Sequence, residues 1–176
     1  MDPEKKVNGI SIVTSPYNQF ENPLYSNNKI IGTYVNSIMA LHDAIERGSD
    51  EALLLDSNEN ISEGSGENLF IVKDEELITP TPDNCLNGIT RQSIIKIAQD
   101  ENIDVIEKKL KYDDLVDADE AFFTGTAVEV TPISKVDETT IGDSMIGPIT
   151  KKLQKIFTDT VTNKNKKYAH WLDPIN

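Results

Sequence analysis

The sequence predicts a mixed α/β fold that carries more strand than a doubly wound sheet would. Three observations predict it. Apolar residues recur at three- and four-residue steps near residues 29–48, 90–98 and 148–157, which is the helical period. Short apolar runs at residues 52–55, 69–72, 121–124 and 128–131 have strand length and are bounded by turn residues. Some of these runs adjoin across a tight turn rather than across a helix, so they read as hairpins.

Taken in order, residues 1–28 are polar and turn-rich apart from a strand-like patch at residues 10–13. From Lys29 the pattern turns helical, with Ile31, Val35, Ile38, His42 and Ile45 on one stripe until Gly48 stops it. Residues 52–55 are a continuous apolar run ending at Asp56, the signature of a buried strand. The run Ile61-Ser62-Glu63-Gly64-Ser65-Gly66-Glu67-Asn68-Leu69-Phe70 then gathers two glycines, two glutamates and two serines into a tight turn. It leads into a strand over residues 69–72, with residues 77–79 as its hairpin partner and a turn over residues 80–84. In Asn87-Gly88-Ile89-Thr90-Arg91, Thr90 is expected to cap a helix that carries Ile94, Ile95 and Ala98 on one face. A strand over residues 105–110 and a short helix over 112–116 follow. Strands at 121–124 and 128–131 are joined through Gly125-Thr126-Ala127. The last helix starts near Pro148, a residue suited to a first turn, and shows Ile149, Leu153, Ile156 and Phe157. Residues 163–167 read as a solvated basic run, and no internal repeat is present.

Bulk properties narrow the classes of function. A chain of 176 residues suits one domain with its own core, or a domain plus a fragment. Its net charge of −13 argues against nucleic acid and against an anionic membrane surface, although a small anionic cofactor needs only local donors. Cys85 is the single cysteine, which excludes a disulfide framework and a thiolate metal cluster and suits a reducing cytoplasm. His42 and His170 are the only histidines and lie far apart in sequence, so no histidine metal site or triad is expected. No apolar run is long enough to cross a bilayer, and the N-terminus lacks the pattern of a signal peptide.

Four segments carry candidate chemistry. The glycine-rich run around Glu63 reads either as a hairpin corner or as main chain brought close to a flat, charged ligand. The segment Asn87 to Arg91 reads either as an ordinary capped helix start or as an anion cradle of unpaired amides. Gly125-Thr126-Ala127 is a second tight turn with a hydroxyl and exposed amides. Lys29, at the start of the helical pattern, is either a solvated lysine or an amine poised to attack a carbonyl, and Tyr34 is either a core phenol or one that reaches the same cavity. Together these supply an amine, a carboxylate, a phosphate cradle and a phenol, which is the set a pyridoxal phosphate site requires.

In order and spacing, four motifs resemble those of fold-type IV aminotransferases, and within them most resemble branched-chain amino acid aminotransferases. They are Lys29-Ile30-Ile31-Gly32-Thr33-Tyr34, Ser62-Glu63-Gly64-Ser65-Gly66-Glu67-Asn68-Leu69-Phe70, Leu86-Asn87-Gly88-Ile89-Thr90-Arg91 and Gly125-Thr126-Ala127-Val128-Glu129-Val130-Thr131-Pro132. The resemblance runs from about Lys29 to Trp171-Leu172-Asp173. It implies a barrel-like core of mixed strands with flanking helices, residues 29–176 being the larger, cofactor-bearing domain and residues 1–28 a partial N-terminal segment. Carried over by position, Lys29 would bind pyridoxal 5'-phosphate covalently and shuttle a proton, Glu63 would pair with the pyridinium nitrogen, and Tyr34 would hydrogen-bond the phenolic oxygen. Leu86 would pack on the ring, Ile89, Thr90 and Thr126 would hold the phosphate, and the Thr126-Ala127 turn would receive the substrate carboxylate. Asn87 departs from the proline common at its position and Thr33 from the usual asparagine.

The implied reaction transfers an amino group between leucine, isoleucine or valine and 2-oxoglutarate, in a cytoplasmic homo-oligomer. Related D-amino-acid aminotransferases and aminodeoxychorismate lyases are the nearest alternatives, and a non-catalytic half of a split enzyme is another. In the family the lysine falls near mid-chain, whereas here it is residue 29, so the small domain and much of the side-chain pocket are expected to be missing and activity impaired.

Overall fold

A computed structural model describes residues 4–20, 28–83 and 85–173. After a short helix α1 (Lys5–Asn8), nine strands form one sheet: β1 (Ile10–Thr14), β2 (Glu51–Leu55), β3 (Ile61–Gly64), β4 (Asn68–Lys73), β5 (Glu76–Thr79), β6 (Val105–Glu107), β7 (Glu120–Gly125), β8 (Glu129–Val136) and β9 (Thr139–Thr140). The order across the sheet is β3-β2-β1-β8-β7-β4-β5-β6, with β9 beside β8. Pairing is parallel for β1–β2, β1–β8 and β5–β6 and antiparallel elsewhere, so the expected mixed-strand core is present. The strand patch within the leading 28 residues is β1, an interior strand between β2 and β8.

The sheet curls until its two ends nearly meet. Ile61 at the β3 edge bridges to Leu110 just beyond β6, its amide donating to the Leu110 carbonyl at 2.8 Å. This half-closed barrel follows from alternation along the strands. Leu69, Ile71 and Phe123 point inward to a core with Ile12, Leu53, Ile133 and Val136. Phe70, Val72 and Phe122 point outward, where α3 (Ile89–Asp100) and α5 (Pro148–Val161) cover them with Ile94, Ile97, Leu153 and Phe157. Phe70 and Phe122 stack there with centroids 5.1 Å apart. A fourth helix, α4 (Tyr112–Val116), closes the barrel floor with Leu115.

The first long helix, α2 (Tyr34–Glu46), packs in a way the period alone misjudges. Its buried face is Ala40 and Ala44, set against Val13, Ala52 and Leu54. The apolar stripe is turned outward: Ile31 is 88% exposed, Val35 62% and Ile38 61%. Small residues let the helix lie close to the sheet, so the larger ones are left on the far side.

Three local expectations are corrected. Glu63 lies on strand β3 rather than in the turn, which is confined to residues 65–67. Thr90 is a buried residue inside α3, whose cap is Gly88. The strand expected over residues 105–110 is limited to Val105–Glu107. Ile95 on α3 is only partly buried, and Ile97 takes the core position beside Ile94 and Ala98. Asn84, at the end of the expected turn, lies outside the described residues.

Candidate active site

The ends of β3, β4 and β7 open on one cleft with two arms. The first arm is walled by Lys29, Tyr34, Glu63, Gly66, Asn68 and Leu86. The second, about 320 Å3, is walled by Leu86, Gly88, Ile89, Thr90, Gly125 and Thr126. Lys29, Gly66, Asn68 and Leu86 border both, so the arms adjoin.

Glu63 forms the floor of the first arm. Its Oε1 accepts from the Gln19 amide nitrogen, and its Oε2 accepts from Leu86 N at 3.1 Å and Asn68 Nδ2 at 3.3 Å. It is 9% exposed, and burial pushes its pKa up to about 7, against the opposing pull of these donors and of the Lys29 charge. Desolvation outweighs three hydrogen bonds because all three donors are neutral. A carboxyl buried among neutral donors is suited to pair with a cationic ring nitrogen.

The second arm ends at the N-terminus of α3. Its first backbone bond runs from Gln92 N to Gly88 O at 3.0 Å, so the amides of Ile89 and Thr90 precede the ladder and have no acceptor among the described residues. The contrast with α5 is informative. There, buried Glu120 reaches the first-turn amides, accepting from Ile149 N at 3.0 Å and Thr150 N at 2.7 Å. What a carboxylate does for α5, a phosphate is suited to do for α3.

Arg91 fixes this cradle from behind. It is 2% exposed and donates to Pro80 O at 2.9 Å, Asn87 Oδ1 at 3.0 Å and Glu107 Oε2 at 2.5 Å. Arg91→Ala is expected to lower stability by about 3 kcal/mol, because buried acceptors lose their donor. A fall in the urea midpoint with unchanged slope checks this.

The structure brings Lys29, Tyr34, Glu63, Leu86, Ile89, Thr90 and Thr126 to this cleft, while Ala127 lies exposed on the next position of the hairpin turn, outside its lining. Lys29 is not in a helix first turn as its position suggested. It sits at the centre of a tight turn in which Ile30 N donates to Asn28 O at 2.8 Å, ahead of a 3-10 turn (Ile31–Thr33), with its Nζ 5.7 Å from the centroid of the Tyr34 ring. Gln19 and Asn68 are the site residues that sequence reasoning missed. Asn68 Nδ2 also donates to Leu86 O at 2.7 Å and so joins the two arms. Its place directly after Glu67 in the glycine-rich run was the available signal; Gln19 had none.

The donor set fits pyridoxal phosphate: one primary amine and a buried carboxyl in one arm, and unpaired amides with two threonines in the adjoining arm. Among the described residues no group of histidine, cysteine, aspartate and glutamate side chains is placed to hold a metal ion, and no helix is long and apolar enough to cross a membrane.

Comparison with known proteins follows the same line. The family model described as "Amino-transferase class IV" matches residues 1–136. A branched-chain-amino-acid aminotransferase from Pseudomonas aeruginosa is 45% identical over 172 residues, 97% of this chain and 56% of that protein. The crystal structure of the branched-chain aminotransferase from the thermophilic archaeon Thermoproteus uzoniensis with norvaline superposes with a TM-score of 0.91 at 40% identity, covering 97% of this chain and 57% of that one. A T.th. branched-chain amino acid aminotransferase complexed with N-(5'-phosphopyridoxyl)-L-glutamate gives 0.94 at 40% identity, over 96% and 57%. The chain spans little more than half the length of these relatives. With its half-closed barrel, its two-armed cleft and these matches, the chain belongs to the class IV amino-transferase family.

Proposed function

We propose that the chain provides the cofactor-binding part of a pyridoxal-phosphate-dependent aminotransferase, acting on branched-chain L-amino acids with 2-oxoglutarate as the amino acceptor. The observation that carries this reading is the pair of adjoining arms, with Lys29 and Glu63 in one and the α3 N-terminus in the other. The names of the relatives favour branched-chain donors, and the glutamate adduct in one solved relative favours a glutamate–2-oxoglutarate half-reaction.

Pyridoxal phosphate, when bound, supplies the carbonyl that takes up an amino group and the ring that delocalises charge from the substrate Cα. The chain's own residues do the rest. Lys29 Nζ attaches the cofactor and then carries a proton to and from the substrate Cα. Glu63 keeps the ring nitrogen protonated, and Tyr34 donates to the phenolic oxygen. Leu86 packs on the ring, while the Ile89 and Thr90 amides with Thr126 hold the phosphate. Thr126 and Ala127 receive the substrate carboxylate. Residues 29–176 form the cofactor domain, and β1 from the leading segment completes its sheet. Cys85, next to Leu86 in the chain, stays a thiol, since burial pushes its pKa up to about 12.

Titration of the chain with pyridoxal phosphate tests this reading. A red-shifted protein-bound spectrum that reverts when L-leucine is added, and does not revert with D-alanine, is the expected result. Absence of any spectral shift on adding the cofactor would overturn it.

We also propose that the protein assembles as a homo-oligomer when the rest of its length is supplied, as the family resemblance implies. Sedimentation of a chain extended to the length of its relatives is expected to give a dimer or larger species, and a monomer would remove this assignment.

A further inference from the structure

The loop between β5 and α3 has no regular structure at Leu86, yet the peptide groups of that residue are held on both sides. Leu86 N donates to Glu63 Oε2 at 3.1 Å, and Leu86 O accepts from Asn68 Nδ2 at 2.7 Å. Asn68 Nδ2 also donates to that same Glu63 oxygen at 3.3 Å. A carboxyl on β3, an amide on β4 and a loop residue thus close one ring of hydrogen bonds. The next link leads to the second arm: Gly88 N donates to Leu86 O at 2.9 Å, and Gly88 is the cap of α3.

Asn68 is the anchor of this ring. It is 5% exposed and opens β4, an interior strand, where its backbone pairs with Thr124 of β7. Side chains alternate along the strand, so Asn68 shares the face of Phe70 and Val72, which α3 covers. Its orientation follows from chemistry, since Leu86 O and the Glu63 oxygen are acceptors and only the amide nitrogen can donate to them. The amide oxygen meets Gly88. A β-carbon there would lie 2.4 Å from Asn68 Oδ1, whereas Gly88 has φ −62° and ψ 147°, backbone that any residue adopts. Glycine is needed at this cap for room beside Asn68, not for conformation.

We propose that Asn68 is a positioning residue that fixes the spacing between the Glu63 carboxyl and the amides of the α3 N-terminus, with Gly88 giving it the room to do so. This rests on the reading of the cleft as a pyridoxal phosphate site, whose ligand engages both ends at once. Each end can hold its own part of that ligand alone; holding both together needs one separation. A loop already tied at Leu86 spares the ligand the cost of ordering it.

Hydrogen exchange in the cofactor-free chain tests the bridge apart from the aminotransferase reading. Asn68→Leu keeps the branching of the side chain and removes the donor. In it the amides of Leu86 and Gly88 are expected to exchange at least about tenfold faster than in the parent, with those of Phe70 and Ile71 on β4 unchanged. Gly88→Ala should speed Leu86 by a similar factor, because its methyl displaces the Asn68 amide. With cofactor, Asn68→Leu is expected to weaken pyridoxal phosphate binding at least about tenfold. Pyridoxal, which lacks the phosphate and reaches one end only, should lose less than about threefold. A role in folding alone would speed all four amides together and weaken both ligands equally. Either result overturns the proposal, as does unchanged exchange at Leu86. Should Asn68→Leu fail to fold, Gly88→Ala decides by the same Leu86 amide. A parent chain that takes up no pyridoxal phosphate would overturn the aminotransferase reading, while the exchange arm still decides the bridge.

Discussion

Lys29→Ala is expected to abolish covalent attachment of pyridoxal phosphate and to cut transamination by at least about 10³-fold, the largest effect of any single change in the chain. Lys29 is the only lysine among the described residues that line either arm of the cleft, so no neighbouring amine can take its place. The substitution removes both the nucleophile and the group that moves a proton at the substrate Cα. Stability should hardly change, because the side chain is exposed, lies 5.7 Å from the Tyr34 ring centroid and acts on Glu63 only through its charge. Borohydride reduction followed by intact mass checks this directly. A phosphopyridoxyl adduct is expected on the parent and not on the variant, and an adduct that persists on the variant would place the attachment elsewhere.

Glu63→Gln is expected to move stability and activity in opposite directions. The Glu63 pKa rises from 4.5 to about 7 in the folded chain. A group raised this way stabilises the fold below its unfolded value and loses that contribution as pH climbs through the folded one. Between roughly pH 4.5 and 7 the parent therefore gives up about 3 kcal/mol at this residue, at about 1.4 kcal/mol for each pH unit. Glutamine has no charge to bury, so the variant should gain at pH 8 relative to the parent. Its oxygen can still accept from Leu86 N and Asn68 Nδ2, and the Gln19 amide can turn over to accept from the new nitrogen. The cost falls on function: a neutral amide does not hold a ring nitrogen protonated, so turnover should drop by about 10²–10³-fold. Urea unfolding at about pH 5 and pH 8, beside cofactor titration, separates the two effects. A variant less stable than the parent at the higher pH would show that Glu63 is ionised and well paired in the cofactor-free fold.

Much of the fold could be read from residue order because the signals are local. The short helix Tyr112–Val116 matches its expected bounds and the helix Pro148–Val161 its expected start, since turn residues and apolar period lie within each segment. The pairing of β4 with β5 and of β7 with β8 follows from the short loops joining them. The end-to-end bridge from Ile61 to Leu110 does not, because no local pattern links residues so far apart in sequence.

The candidate site divides along the same line. Lys29, Tyr34, Glu63, Ile89, Thr90 and Thr126 stand in segments whose residue types suggest amine, acid and anion-binding chemistry, while Leu86 was named only through the family resemblance. Gln19 does not, since a lone glutamine in a polar stretch has no spacing that marks it, and only the path of the chain along β2 brings it to Glu63. The outward turn of Ile31, Val35 and Ile38 is likewise invisible in the 3.6-residue period, which reports that a helix has an apolar face and not what covers it.

By itself, then, the sequence determined the family, the order of the elements and the kinds of groups available for chemistry, because these depend on residue type and short-range spacing. Tertiary structure alone decided that Glu63 lies on a strand with three neutral donors, that Glu51 from β2 reaches the Ser65 amide of the turn after it, and that the α3 amides face a cleft while Glu120 satisfies those of α5. These are matters of burial and of contact between distant segments. They set how strongly each charge is desolvated, and so what each group is able to do.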